Sequence, residues 1–195
     1  MTASLKTNIE TILGRPIEPV EVDMFLKLMF EKNFEKKDLL AEEGKDCSYI
    51  YFIVQGSCYS YFVEPDGDKQ VVQLAIEGNW ISDLFSFFSD KKAIYAIEAL
   101  EPVKVLALNR HSFEKACDTI PWFDRFFRIL IQKAYIVSQN RLAKTKSDEA
   151  ETRYQELSKA HPQLIQRIPQ YLIASYLGIK PQSLSRIRKE SAHKA

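Results

Sequence analysis

"YLIASYLGIKPQSLSRIRKE", residues 171–190, carries the most ordered pattern in the chain. Counting Gln170 as position 1, apolar side chains fall at positions 4, 8, 10, 15 and 18, as Ile173, Leu177, Ile179, Leu184 and Ile187. Ala174 stands at position 5 and Gly178 at position 9. Two short helices joined by a three-residue turn need this set: a small residue where they cross, and no Cβ penalty where the backbone turns left-handed. Pro181 suits the first turn of the second helix, where proline is tolerated. The segment reads as a helix-turn-helix, with an ordinary helical hairpin bearing basic ends as the plainer alternative.

With Leu184 and Ile187 pointing inward, Gln182, Ser183, Ser185, Arg186 and Lys189 lie on or near the outer face of the second helix. Glutamine pairs bidentately with adenine, arginine with guanine, and serine meets base edges or phosphates. Lys180 and Arg188 suit phosphate contacts. Double-stranded DNA is therefore the expected partner.

Charge is distributed to match. Residues 1–140 hold 16 of the 27 Lys and Arg and 21 of the 26 Asp and Glu, so residues 141–195 are net basic in a chain of formal charge +1. Such asymmetry marks an anion-binding end or a solvated surface. A 46% hydrophobic share with 12% aromatics is a globular composition. Cys47, Cys58 and Cys117 form no C-x-x-C pair and are odd in number, which argues against a disulfide framework or zinc knuckle and for a reducing cytoplasm. The start, "MTASLKTNIETILGRPIEP", lacks the pattern of a signal peptide, and no apolar run reaches the roughly 18 residues of a membrane span. No membrane association is expected.

Upstream, residues 18–32 place Val22, Phe25, Leu26, Met29 and Phe30 at helical spacing, which predicts an amphipathic helix there. From about Phe34 to Leu108 the pattern becomes that of strands. "YIYFIVQGSCYSYFVE" is aromatic and β-branched, Asp66-Gly67 supplies a hairpin turn, and "QVVQLAIEG" resumes the strand. Later, Val103, Val105 and Ala107 alternate with Lys104, Leu106 and Leu108. Short strands about ten residues apart indicate an antiparallel sandwich or barrel. Within it, Leu84, Phe85, Phe87 and Phe88 form core, line a pocket or cover the following helix.

Helical periodicity returns over 118–143, with Pro121 in its first turn. Phe123, Phe127, Leu130, Ala134 and Val137 follow the alternating four-and-three spacing of a heptad seam, and Trp122, Phe126, Ile129 and Ile136 make a second stripe. Two readings stand: a helix buried between parts of one protomer, or a dimer seam whose second stripe packs on the β domain. A hinge is expected at 144–147, with Thr145 and Ser147 as possible N-caps of a further helix and Asp148 and Glu149 in its first turn. That helix should end at His161-Pro162.

Taken together, "YIYFIVQGSCYSYFVEPDGDKQVVQLAIEGNW" and "IASYLGIKPQSLSRIRKE" resemble the Crp/Fnr family of bacterial transcription regulators, the first matching its cyclic-nucleotide-binding β-roll and the second its DNA-reading helices. The resemblance implies an α+β fold: an N-terminal antiparallel, jelly-roll-like β-roll flanked by helices (1–117), a long dimerisation helix and hinge (118–147), and a small helix-turn-helix domain (148–195). It also implies a homodimer on a near-palindromic site, RNA polymerase as a protein partner, and Pro181, Gln182 and Arg186 at the principal base-contacting positions.

The chain departs from the family pattern in three places. Where the family's cyclic-nucleotide binders have a Gly-Glu pair for the ribose, this chain has Ser82-Asp83, and no arginine follows for the phosphate. Lys91 or Lys92 could supply charge, but lysine lacks the planar fork of arginine. Ser82, Asp83, Lys91 and Lys92 are the candidate effector contacts, cyclic AMP is not the expected ligand, and the effector is unidentified. Three scattered cysteines exclude the iron–sulfur sensor type, and no cofactor or metal is expected. The sequence ends without the β-hairpin wing that usually follows the recognition helix.

Enzymatic activity is not expected. His111, His161 and His193 are dispersed rather than clustered for a metal, and no G-x-S-x-G, phosphate loop or Cys/His pair occurs. A ligand- or partner-binding β-roll with a non-functional DNA-binding remnant is the alternative function. It would predict loss of basic and amide groups between 180 and 189, where this chain keeps them.

Overall fold

The computed structural model describes residues 2–147 and 149–193. Among the described residues, eight strands form two four-stranded sheets, antiparallel throughout: β1 (Phe30–Phe34), β2 (Leu39–Ala41), β3 (Tyr49–Gln55), β4 (Cys58–Val63), β5 (Lys69–Ala75), β6 (Trp80–Ile81), β7 (Ala96–Ala99) and β8 (Val103–Asn109). One sheet runs β1-β8-β3-β6 and the other β2-β7-β4-β5. The alternation expected for β8 is present, yet both its faces are buried. Val103, Val105 and Ala107 meet Ile53 and Ile97 between the sheets, whereas Leu106 and Leu108 turn outward under a cover of helices. Gly56, between β3 and β4, has φ +94, and a Cβ there would sit 2.5 Å from the Pro102 carbonyl oxygen, so no other residue fits. At the Asp66-Gly67 turn the Gly67 N–H donates to the Glu64 carbonyl, closing the β4–β5 hairpin as its sequence predicts.

The helical cover begins with α1 (Thr2–Leu13), which the sequence reading did not single out. Leu5, Ile9 and Leu13 recur every four residues and bury one stripe against Phe25, Trp122 and Phe126. Fully burying a side chain such as Phe126 contributes about 1.5–3 kcal/mol. Instead of a helix over 18–32, α2 spans only Pro19–Leu26. Strand pairing overrides the helical spacing beyond it, because Phe30 to Phe34 align residue for residue with Ala107 to Val103 of β8.

After β8, α4 (Arg110–Thr119) is started by the Asn109 side chain, which accepts from the Ser112 N–H at 2.8 Å. The long helix, α5, spans Phe123–Ser147 rather than starting at 118. Ile120 is extended (φ −111, ψ 110), as a residue before proline tends to be, so Pro121 separates two helices instead of opening one. The expected hinge at 144–147 lies within α5, so neither Thr145 nor Ser147 occupies the N-cap position of the next helix. Asp148 falls outside the described residues, and extended Glu149 is the N-cap of α6 (Ala150–Ala160). α6 stops at His161-Pro162 as expected, and α7 (Pro162–Arg167), α8 (Gln170–Leu177) and α9 (Pro181–His193) follow. No described helix is long and apolar enough to cross a membrane.

Candidate nucleic-acid interface

α8 and α9 meet as the spacing requires. Gly178 is left-handed at φ 67, and the Ile179 N–H returns to the Ala174 carbonyl at 3.0 Å, ending α8 in one residue. Ala174 is wholly buried at the crossing, and Ile173, Leu177, Leu184 and Ile187 close the core around it. Burial of Leu184 and Ile187 turns the opposite side of α9 outward. Lys180, Pro181, Gln182, Ser185, Arg186 and Lys189 are exposed, while Ser183 and Arg188 are half-buried at its margins. Gln182, Arg186 and Lys189 follow i, i+4, i+7 and so share one face. The Arg186 side chain is 75% exposed, with its nearest carboxylate, Glu190, at 4.0 Å. This convex face offers amide, hydroxyl and guanidinium donors of the kind that read base edges, with an ammonium group at each end.

The α8–α9 pair is seated on the β domain. Tyr59, Tyr61, Val71 and Leu74 of β4 and β5 share one apolar cluster with Ile168, Leu172 and Ile173. β5 is a sheet edge, and α8 covers it. Ser175 accepts from the Val71 N–H and donates to the Lys69 carbonyl, both at 2.9 Å, and Gln70 donates to the Ser175 carbonyl at 2.8 Å. Arg167 forks between Glu77 and Glu101. Burial alone would raise the Glu77 carboxyl, but bonds from Arg167 and from backbone N–H groups outweigh it and hold the pKa below its ordinary value. Ser175 and Arg167 escaped the sequence reading because their partners lie roughly a hundred residues upstream.

The candidate effector residues have other work. Asp83 is 1% exposed and caps α3 (Leu84–Ser89), with Oδ1 accepting from the Ser86 N–H at 2.8 Å. Its Oδ2 accepts from the Ile94 and Tyr95 N–H groups at 2.8 and 2.9 Å. Three backbone donors thus occupy this carboxylate, which corrects its assignment as an effector contact. Ser82 donates to the Tyr49 carbonyl at 2.9 Å and borders a cavity of about 80 Å³ between the sheets and α5, lined chiefly by Trp80, Leu84, Phe127 and Leu130. Lys92 pairs on the surface with Asp46, and the Lys91 ammonium lies 6.0 Å from the Phe85 ring centroid. Neither lysine is bonded to Ser82 or Asp83, so these four residues do not build one site. Of the Trp80–Phe88 stretch, Phe87 is core, whereas Phe85 and Phe88 are 45% and 39% exposed, and Phe88 packs on Phe127 of α5.

Along the proposed seam, Phe123 is 1% exposed and packed against Phe25, Phe113 and Phe127. It belongs to the protomer core and is unavailable to a second chain. Phe127 and Leu130 are half-buried, and Ala134 and Val137 are exposed, beside Tyr135, Ile136 and Leu142. Of the second stripe, Trp122 and Phe126 pack beneath the helix, while Ile136 stands clear of the protomer.

Residues 31–119 match the family model of the cyclic nucleotide-binding domain. No curated protein sequence matches the chain. Among solved structures, FixK2 from Bradyrhizobium japonicum is similar at 19% identity, with 85% of each chain covered and a TM-score of 0.71. A double mutant of CooA from Carboxydothermus hydrogenoformans, 15% identical, covers 95% of this chain and 84% of its own, also at 0.71. The catabolite activator protein of Thermus thermophilus, 17% identical, covers 94% and 87% at 0.61. At 95% and 94% coverage, the CooA and catabolite activator likenesses extend past the β domain into the helical C-terminal part. Residues 31–119 are therefore similar to a cyclic nucleotide-binding domain, and the chain has the fold of these solved regulators, with a helical C-terminal part.

Proposed function

We propose that the chain is a sequence-specific DNA-binding transcription regulator that acts as a homodimer on a near-palindromic site. The observation that carries this reading is the outer face of α9, where Gln182, Ser185, Arg186 and Lys189 are presented together while Leu184 and Ile187 anchor the helix. Arg186 is assigned to a guanine edge, Gln182 to a second base, and Lys180 and Arg188 to phosphates. Two copies joined through the exposed stretch of α5 around Ala134 would set two α9 helices in successive major grooves, about 34–36 Å apart. In this scheme residues 1–117 are the sensor-like unit, 118–147 the dimer connection and 148–195 the DNA reader.

Cyclic AMP is not assigned as effector: the Asp83 carboxylate takes the Ile94 and Tyr95 N–H donors, and the cavity beside α5 is about 80 Å³, well below the roughly 300 Å³ and more of small-molecule sites. The test is selection of genomic DNA fragments by the purified chain at near-physiological salt, in parallel with Arg186→Ala, and with and without cyclic AMP. Enrichment of a near-palindrome that the variant loses and cyclic AMP leaves unchanged is the expected result. Failure of the wild-type chain to enrich any sequence would overturn the reading.

A further inference from the structure

Two features meet where α8 lies on β5. The Ser175 hydroxyl and the Gln70 side chain tie α8 to the strand edge, over apolar surface that Tyr59, Tyr61, Val71 and Leu74 share with Leu172 and Ile173. A cavity of about 480 Å³ separates the β4–β5 hairpin from the start of α9, with Glu64, Gly67 and Asp68 on its hairpin side and Ile179, Lys180 and Pro181 on the other. Seating α8 on β5 thereby sets the hairpin beside the first turn of α9.

That hairpin is acidic. Residues 64–70 carry Glu64, Asp66 and Asp68 against one cation, Lys69, whose ammonium pairs with Glu98 at 2.7 Å. Asp66 and Asp68 are exposed. A recognition helix reads base edges with its N-terminal residues in a major groove about 12 Å wide, so a phosphate strand must pass on each flank of its first turn. With α8 docked, the hairpin stands on one of those flanks. A phosphate approaching Lys180 from that side meets Glu64 and Asp68, and juxtaposed like charges oppose association. Gln182, Arg186 and Lys189 are exposed in this arrangement, but exposure of their face does not clear the path for a strand beside it.

We infer that the seating of α8 on the β5 edge is an autoinhibitory contact: it holds the acidic β4–β5 hairpin beside the first turn of α9, and specific DNA binding requires α8 to leave that edge. The inference rests on the DNA-reading function proposed above. Docking on β5 and docking on DNA exclude each other, so the apparent affinity for DNA is the intrinsic affinity scaled by the undocked fraction of chains. A ligand that favours the undocked form raises that fraction, and one that favours the docked form lowers it.

The test follows the Val71 amide by hydrogen exchange in the full-length chain, alone and saturated with a duplex that it selects. DNA affinity is measured in parallel for wild type, Gln70→Ala and Asp68→Asn. Faster exchange at Val71 in the wild-type complex is the expected result, because its N–H loses the Ser175 hydroxyl when α8 leaves. Gln70→Ala lies on β5, outside the reading helices, and removes a bond that only the docked form makes. It should tighten DNA binding about fivefold, the shift equivalent to one ordinary hydrogen bond. Asp68→Asn should also tighten binding, with less of the Val71 protection lost, since a neutral hairpin tolerates DNA beside it. Unchanged or greater protection of Val71 in the wild-type complex, no tighter binding by Gln70→Ala, or wild-type behaviour of Asp68→Asn in both readouts would each overturn the inference and leave the DNA-reading function standing. Failure of wild type and Gln70→Ala alike to select any duplex would overturn both.

Discussion

The Ser175 hydroxyl stands between the Val71 N–H and the Lys69 carbonyl, 2.9 Å from each, and occupies on the β5 edge the place a neighbouring strand would take. Val71 is fully buried, so its N–H has no water to turn to. Ser175→Ala leaves both backbone groups without this partner, at a cost of about 1–3 kcal/mol. For a chain of this size the unfolding midpoint should fall by about 2–4 °C per kcal/mol lost. Calorimetry checks the midpoint, and hydrogen exchange should show faster loss of protection at Val71. An unchanged exchange rate would mean that α8 contributes nothing to that edge.

Arg186 and Lys180 should fail differently. Arg186→Ala is expected to cost about 1–3 kcal/mol on the selected site and to relax preference at one base pair. Lys180→Ala should weaken all sequences alike and reduce the salt slope by about one. Equilibrium binding to specific and random duplexes at several salt concentrations separates the two, and equal losses on both duplexes for Arg186→Ala would refute its assignment to a base.

The Arg167 bridge carries a pH signature. The Glu77 carboxyl titrates below its ordinary value of 4.5 in the folded chain. Its contribution is therefore present above about that pH and is lost as pH falls through the lower, folded value. Arg167→Ala should narrow the stability margin at neutral pH and converge with wild type in acid. The magnitude is small, since both side chains are more than a third exposed or nearly so. Urea midpoints from pH 3 to 7 supply the comparison, with parallel curves as the contrary outcome.

Asp83 gives the sharpest stability prediction. Asp83→Ala strands three N–H groups, those of Ser86, Ile94 and Tyr95, and should destabilise the fold by about 3 kcal/mol or more at about 1–3 kcal/mol for each unsatisfied group. Denaturant unfolding measures it. A neutral result would restore Asp83 as a free carboxylate and a candidate ligand contact.

Ala134→Glu tests the α5 seam. If the proposed homodimer forms through α5, a carboxylate on this exposed turn should leave the protomer folded and shift it to monomer, because two such charges would meet across a twofold axis. Sedimentation velocity reads the outcome directly.

The terminal helices were legible in the sequence because a short turn constrains specific residues, Ala174 and Gly178, and leaves few alternatives. The β4–β5 hairpin was legible for the same reason at Asp66-Gly67. By contrast, Phe30 satisfies helical and strand patterns equally, and only its register with β8 decides between them. Leu5, Ile9 and Leu13 carry a periodic signal, but three apolar residues at this spacing make a weak pattern until Phe25, Trp122 and Phe126 supply the surface they bury against. Phe123 fits a heptad, but the heptad does not reveal that Phe25 and Phe113 already fill its surroundings. Asp83 looked available because its other two donors arrive eleven and twelve residues later, from a segment without a pattern of its own.

α5 is embedded at one end and bare over much of its remaining length. Its first turns are clamped among the aromatic rings of the core, whereas residues 131–147 extend about 25 Å beyond them at 1.5 Å per residue. Mechanically this is a lever with a short, stiff fulcrum. A tilt of about 5° at Ile131 swings the far end by about 2 Å over that length. The swing meets a stop, because α8, carried on that end, is hooked to β5 through Ser175. A displacement of 2 Å exceeds what a 2.9 Å hydrogen bond tolerates, so a swing of that size that carried α8 along would break the Ser175 bonds.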